Sequence, residues 1–255
     1  MNSELRRTFD EAAELYDRAR PTYPGALFDD LVELAGLGPG ARIVEIGCGT
    51  GKATVPLAEH GLHVTCVELG SSLAEVARRN LANFPAVRVI TGDFETWQPA
   101  DADYDAVVAF TAFHWISHEA RYAKTAAMLR KGGALAVTMV HHVLLDDADP
   151  FFVASQADYD AVGAGGDPPG PPESVTGLGE EMEASGLFRI AGERRYLWDV
   201  VYTADELIDV LSTYSPNIAM EESRRTRLFD LLRARIDDRT VRKTYLATLD
   251  VAVRT

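Results

Sequence analysis

From residue 42 onward, short apolar runs alternate with amphipathic stretches along the chain. Residues 42–46, 63–68, 87–91, 106–111 and 134–140 are runs of strand length, and the fourth is almost wholly apolar, as a strand covered on both faces requires. Between them, helical spacing predicts helices over 53–59, from Ser72 with Glu75 completing a capping box, and over 119–129. Such alternation predicts an α/β fold with a doubly wound, mostly parallel sheet. Ahead of it, Leu5, Phe9, Ala12, Ala13 and Tyr16 recur at helical spacing until Pro21 and Pro24 oppose continuation. Leu27, Phe28, Leu31, Val32 and Leu34 predict a second helix ending at Gly36.

The rhythm breaks near residue 143. Residues 146–162 read as a loop and then a helix bearing Phe151, Phe152 and Tyr159, and 163–179 is rich in glycine and proline, as in a mobile loop. Thr203 and Glu206 form a capping box that opens a helix through Leu211, and a further helix is predicted over 220–236. Residues 244–253 alternate Tyr245, Ala247, Leu249, Val251 and Val253, which predicts an edge or antiparallel strand at the C-terminal end of the sheet. One domain is expected: an N-terminal helical cap over 1–37, a core over 38–142, a helical lid insertion over 143–187, and strands and helices completing the sheet over 188–255.

Composition narrows the function. The chain has 255 residues, 47% of them hydrophobic, enough for an ordinary core. No apolar stretch is long enough to cross a membrane and no apolar signal region follows Met1, so a cytoplasmic location and no membrane partner are expected. A net charge of −14 repels phosphates, and pairs such as Arg6-Arg7 and Arg224-Arg225 lie among carboxylates, so no nucleic-acid partner is expected. Cys48 and Cys66 make no metal-ligand pair or disulfide framework. His141 and His142, adjacent on a strand, face opposite ways, and Asp146, Asp147 and Asp149 read as a solvated loop, so no metal is assigned.

The candidate chemistry begins at Glu45-Ile46-Gly47-Cys48-Gly49-Thr50-Gly51, between a strand and a helix. A phosphate-binding P-loop needs glycine five positions before Gly51 and a hydroxyl after Lys52, but Ile46 and Ala53 stand there. A dinucleotide fingerprint needs a glycine where Lys52 is, which weakens a nicotinamide oxidoreductase reading. The motif Glu-x-Gly-x-Gly-x-Gly resembles the first motif of the class I S-adenosylmethionine-dependent methyltransferases. The resemblance is nearest to the small-molecule subgroup of trans-aconitate methyltransferase-like enzymes. It extends to Tyr16-Asp17-Arg18-Ala19-Arg20-Pro21-Thr22-Tyr23-Pro24 and to Phe113-His114-Trp115.

That resemblance implies a Rossmann-like fold, S-adenosyl-L-methionine as cofactor, and a small-molecule substrate for a monomer or homodimer. The cofactor-binding residues it implies begin with the glycine loop: Glu45, Gly47, Cys48, Gly49, Thr50 and Gly51. Glu68 and Leu69 follow for the ribose, Gly92, Asp93 and Phe94 for the adenine, with Thr111 beside them. Tyr16 and Arg20 come from a segment that closes over the cofactor, with Arg20 either pairing with a carboxylate or lying exposed at a helix end. Tyr23, Phe113, His114, Trp115 and Tyr214 are implied on the substrate side, and His114 as a base or as an orienting residue. Methyl transfer from a sulfonium is mainly a matter of alignment. A carboxylate acceptor needs no base, and because the subgroup that the chain resembles includes carboxylate methylators, the resemblance implies a carboxylic acid first and a hydroxyl second. The alternative is a protein of the same fold that binds the cofactor without transferring methyl, as a cyclase or a binding module does.

Overall fold

The computed structural model describes residues 12–99 and 102–255; Leu5 and Phe9, assigned above to the first helix, lie outside them. Among the described residues the chain forms α1 (Ala13–Ala19), α2 (Gly25–Leu34), β1 (Arg42–Ile46), α3 (Thr54–Glu59), β2 (His63–Glu68), α4 (Ser71–Asn80), β3 (Val87–Thr91) and β4 (Tyr104–Phe110). There follow α5 (His118–Met128), β5 (Leu129–His142), α6 (Phe151–Ala154), α7 (Gln156–Ala161) and α8 (Gly179–Ala184). The last elements are β6 (Phe188–Tyr202), α9 (Ala204–Ser212), α10 (Ser215–Ile218), α11 (Glu222–Ile236) and β7 (Val241–Arg254).

The strands form one sheet in the order β3-β2-β1-β4-β5-β7-β6. Strands β1 to β5 pair in parallel, and β7 runs antiparallel to both of its neighbours. The period of two along each strand divides the core. Ile43, Val64, Cys66, Ala106 and Val108 pack towards Leu27, Phe28 and Leu31 of α2 and Leu57 of α3. Val44, Ile46, Val67, Val107 and Ala109 pack on the other face, with Tyr122, Ala126 and Met128 of α5. A third apolar cluster joins Phe151 and Phe152 of α6 to α9, α11 and Tyr245 of β7, so two separate stretches of chain build the helical cover. None of the described helices is long and apolar enough to cross a membrane.

Three expectations need correction. Helix α4 starts at Ser71 with Gly70 in the cap position, so Ser72 lies inside the first turn and the Ser72/Glu75 capping box does not form. The Thr203/Glu206 box does form, with Thr203 Oγ1 accepting from the Glu206 amide at 3.3 Å. The C-terminal strand is antiparallel but interior; the edge is β6, whose alternately exposed Arg189, Glu193 and Arg195 conceal a strand pattern. The glycine- and proline-rich stretch after Val162 is tied down by arginines. Arg224 donates to the Val162 and Gly163 carbonyls, both at 2.9 Å, and Arg195 to those of Pro172 and Val175.

Candidate cofactor and acceptor site

The turn from β1 to α3 is folded by its glycines. Gly47 has φ +65°, and a Cβ there would stand 2.7 Å from the Ala112 Cβ on the loop after β4. Only glycine allows both that left-handed backbone and that close approach. Gly51, at φ +91°, is pressed against Leu81 instead and is not on the wall of either cavity described below, so its part in the motif is to close the turn.

Glu68, at the tip of β2, is 7% exposed and organises the loop. Its two carboxylate oxygens accept from the Gly49 and Gly70 amides, each at 2.8 Å. Asn80 of α4 donates to the Thr50 carbonyl at 2.9 Å and to Asp17 at 3.1 Å, fastening the glycine turn to α1. After β3, Asp93 Oδ1 accepts from the Glu95 amide at 2.9 Å, and Phe94 is buried beneath it.

These strand tips surround a cavity of about 300 Å³. Glu68, Leu69, Gly92, Asp93 and Phe94 line one part of it, and Tyr16, Arg20, Thr111, His114, Trp115 and Tyr214 another. A second cavity, of about 230 Å³, shares Tyr16, Arg20, Gly47, Thr111 and Tyr214 with the first and adds Tyr23, Glu45, Cys48 and Thr50. The sequence-predicted residues therefore converge from four strand tips, the α1 segment and the turn after α9, apart from Gly51 and Phe113. Phe113 is fully buried and packs edge-on against Tyr122 at 5.5 Å, so the expectation of an aromatic wall holds for Trp115 only. The 3₁₀ turn Phe113–Trp115 points its middle residue outward; His114 is exposed, 4.8 Å from the Trp115 ring.

Arg20 is not an exposed helix end. Its Nε and Nη2 donate to the Thr213 hydroxyl at 2.7 Å and carbonyl at 2.9 Å, and its guanidinium lies 4.2 Å from the centre of the Tyr214 ring. Thr111 has φ +54°, a strained conformation for a β-branched residue, where β4 leaves the sheet for the cavity. Glu45 is 1% exposed, with Oε2 accepting from Thr54 Oγ1 at 2.7 Å. Burial pushes its carboxyl up to about 7, against the opposing pull of Thr54. Thr50 Oγ1 is buried and has no hydrogen-bond partner among the described residues.

Sequence reasoning missed the residues behind Tyr214. Lys243 of β7 is 2% exposed and donates to the Tyr214 hydroxyl at 2.9 Å. His142, Trp198 and Tyr245 line the second cavity with Tyr214. A signal existed: Lys243 has the same parity as Tyr245 and Ala247, so the alternation already placed a lysine on an inward face.

The methyltransferase domain family matches residues 43–133, the stretch that carries the glycine turn, Glu68 and Asp93. An uncharacterised methyltransferase of Mycobacterium tuberculosis is 26% identical over 230 residues, covering 90% of this chain and 86% of the relative. A trans-aconitate 2-methyltransferase of Deinococcus radiodurans is 34% identical over 109 residues, 42% of this chain and 41% of the relative. Among solved structures, one assigned as a type II methyltransferase from Anaeromyxobacter dehalogenans superposes with a TM-score of 0.64 at 23% identity, covering 91% of this chain and 97% of the other. The fold is therefore the Rossmann-like, seven-stranded fold found in methyltransferases. Residues 43–133 thus carry a methyltransferase domain, and the chain is similar over most of its length to methyltransferases of the class I, S-adenosylmethionine-dependent type, whose methyl donor is S-adenosylmethionine.

Proposed function

We propose that this enzyme methylates an oxygen of a small-molecule acceptor, a carboxylate before a hydroxyl, in a chamber lined by residues of the segments 12–37 and 143–187. The observation that carries this reading is the size of the space. The cofactor cavity shares Tyr214 and Pro216 with a further cavity of about 300 Å³ lined by residues of α6, α7 and α9, and both are of a size for a metabolite. The net charge of −14 supports the same choice. The relatives that are named trans-aconitate 2-methyltransferase support a carboxylate, through the 42% and 54% of this chain that they match.

The residues fit the cofactor. When bound, S-adenosylmethionine supplies a methyl group on a sulfonium, already a good leaving group. Glu68, at the tip of β2 on the cavity wall, accepts from the ribose diol, Asp93 accepts from the adenine amino group, and Phe94 and Leu69 pack on the ring. Gly47 and Gly49 let the backbone approach the methionine part, and Thr50 Oγ1 finds its partner there. Tyr16 covers the front, and Arg20 turns the donors that Thr213 leaves to the carboxylate. Trp115, Tyr23 and Tyr214 hold the acceptor in line and exclude water.

Glu45 serves by accepting from the cofactor's ammonium, which gives a pH signature. Its folded carboxyl is protonated below about 7, and a protonated acid is a poor partner for an ammonium. Cofactor affinity therefore rises with pH between 5.5 and 7, by up to about tenfold per unit. Calorimetric titration checks this, and Glu45→Gln removes the slope; a wild-type profile that is flat across the interval confines Glu45 to holding Thr54.

Acceptor chemistry is tested by incubating the enzyme and S-adenosylmethionine with a panel of carboxylic acids and phenols. A product heavier by one methylene, with release of S-adenosylhomocysteine, is expected; conversion without that gain in mass overturns the proposal. His114, exposed at the cavity mouth, takes the proton of a hydroxyl acceptor. His114→Gln is expected to lower turnover of a phenol at least a hundredfold, with cofactor affinity and carboxylate methylation kept. Equal losses on both acceptors would reduce His114 to orienting the substrate.

A further inference from the structure

We infer that the chamber behind Tyr214 selects acceptors bearing an anionic group on an apolar body, and that Lys243 and His142 read that charge. The inference rests on the proposed methyl transfer and names the substrate class of that site. The chamber has a volume of about 300 Å³ and meets the cofactor cavity at Tyr214 and Pro216, which line both. Phe151, Phe152, Leu207 and Leu211 give it apolar walls.

Two polar demands in this chamber are unmet. The Lys243 ammonium is buried, donates to the Tyr214 hydroxyl at 2.9 Å, and lies 4.9 Å and 4.8 Å from the Tyr214 and Tyr245 ring centres. No carboxylate of the described residues forms an ion pair with it, and the acid on the lining, Asp167, is exposed. Aromatic faces and one hydroxyl offset only part of the cost of burying a charge, and two of the three ammonium hydrogens remain for a ligand. The other demand is His142 Nε2, buried without a hydrogen-bond partner among the described residues, its ring edge-on to Phe152 at 4.5 Å. Burial and the Lys243 charge push its pKa down to about 3, so the imidazole is neutral and has one N–H to offer.

An acceptor carboxylate answers both demands, taking one hydrogen bond from Lys243 and one from His142. The surroundings reinforce this choice: Lys243 and Arg20 pull the Tyr214 hydroxyl below its usual pKa despite its burial, so a carboxyl group entering here is ionised. A neutral amide leaves the ammonium without a counter-charge, and an amine is repelled by it. Selection for acids over amides therefore comes from β7 and the end of β5, apart from the cofactor-gripping residues.

The test uses the full chain saturated with S-adenosylhomocysteine and titrates trans-cinnamate, indole-3-acetate and decanoate, each beside its primary amide. At least one acid is expected to bind ten times more tightly than its amide. Lys243→Met is expected to bring the pair within twofold while leaving S-adenosylhomocysteine affinity within threefold. Because replacing a buried charge by an apolar residue of similar length relieves its desolvation, this variant is also expected to melt higher than the wild type without ligand. His142→Leu, the second variant, weakens the acid at least threefold and leaves the amide unchanged. Equal binding of acids and amides, binding of none of the three acids, or a preference that survives both substitutions overturns the inference. S-adenosylhomocysteine is titrated separately, so a failure of the cofactor site is read apart from a failure of charge selection.

Discussion

Gly47→Ala is expected to abolish cofactor binding and to lower the melting temperature. The native backbone at this position is left-handed, at φ +65°, which costs an L residue about 1–2 kcal/mol. The new methyl would also stand 2.7 Å from the Ala112 Cβ, a contact relieved only by parting the turn after β1 from the loop after β4. Overpacking of this kind adds about 1–3 kcal/mol. A total near 3 kcal/mol corresponds to a fall of roughly 6–12 °C in a chain of this size. Differential scanning fluorimetry with and without S-adenosylmethionine reads both effects, since a ligand that no longer binds no longer raises the transition. A variant with native melting behaviour and an intact ligand shift would show that the turn adapts, and the cradle argument would fail.

Glu68→Ala is expected to weaken S-adenosylmethionine at least a hundredfold. Two effects combine. The proposed ribose contacts are lost, and the Gly49 and Gly70 amides, each now bonded at 2.8 Å, lose their acceptor. Hydrogen bonds to a charged group are worth about 1.5–3 kcal/mol each, so a loss near 3 kcal/mol is a conservative sum. Glu68→Gln separates the two, because an amide oxygen still accepts from one backbone N–H while the opposite NH₂ confronts the other. Its affinity is expected between those of the wild type and Glu68→Ala. If calorimetry finds Glu68→Ala as tight as the parent, the carboxylate does not grip the sugar.

What could be read from the sequence follows the range of the forces involved. Strands β1, β2 and β3 begin and end as the apolar runs predict; in β1 and β2 burial on both faces writes itself into consecutive residues, and β3, at the other edge, keeps the apolar Val87, Val89 and Ile90. The edge strand β6 was not legible in the same way, since half of its positions face solvent and carry charges. The Ser72 capping box failed for a local reason: the chain turns at Gly70, where Glu68 accepts the amide, one residue earlier than the spacing suggests. Glu45, Glu68 and Asp93 were identifiable because each ends a strand, and in a parallel sheet those ends share one edge. Phe113 was misplaced because a 3₁₀ turn rotates successive side chains by about 120° and sends it into the core beside its exposed neighbour. Lys243 and Tyr214 meet across 29 positions through packing alone, and nothing near either residue announces the other.

The place of β7 in the sheet has a consequence for biosynthesis. It lies between β5 and β6, both of which precede it in the chain, and it carries Lys243 to the wall of the chamber and Tyr245 to that of the second cavity. A nascent polypeptide that has emerged as far as β6 thus offers two bare strand edges, each waiting for residues 241–254. Until those residues leave the ribosome, the aromatic lining of the chamber lacks its floor, and the half-made sheet is open to pairing with other chains. Chaperone dependence during synthesis, and sensitivity to lesions within residues 241–254, follow from that single inserted strand.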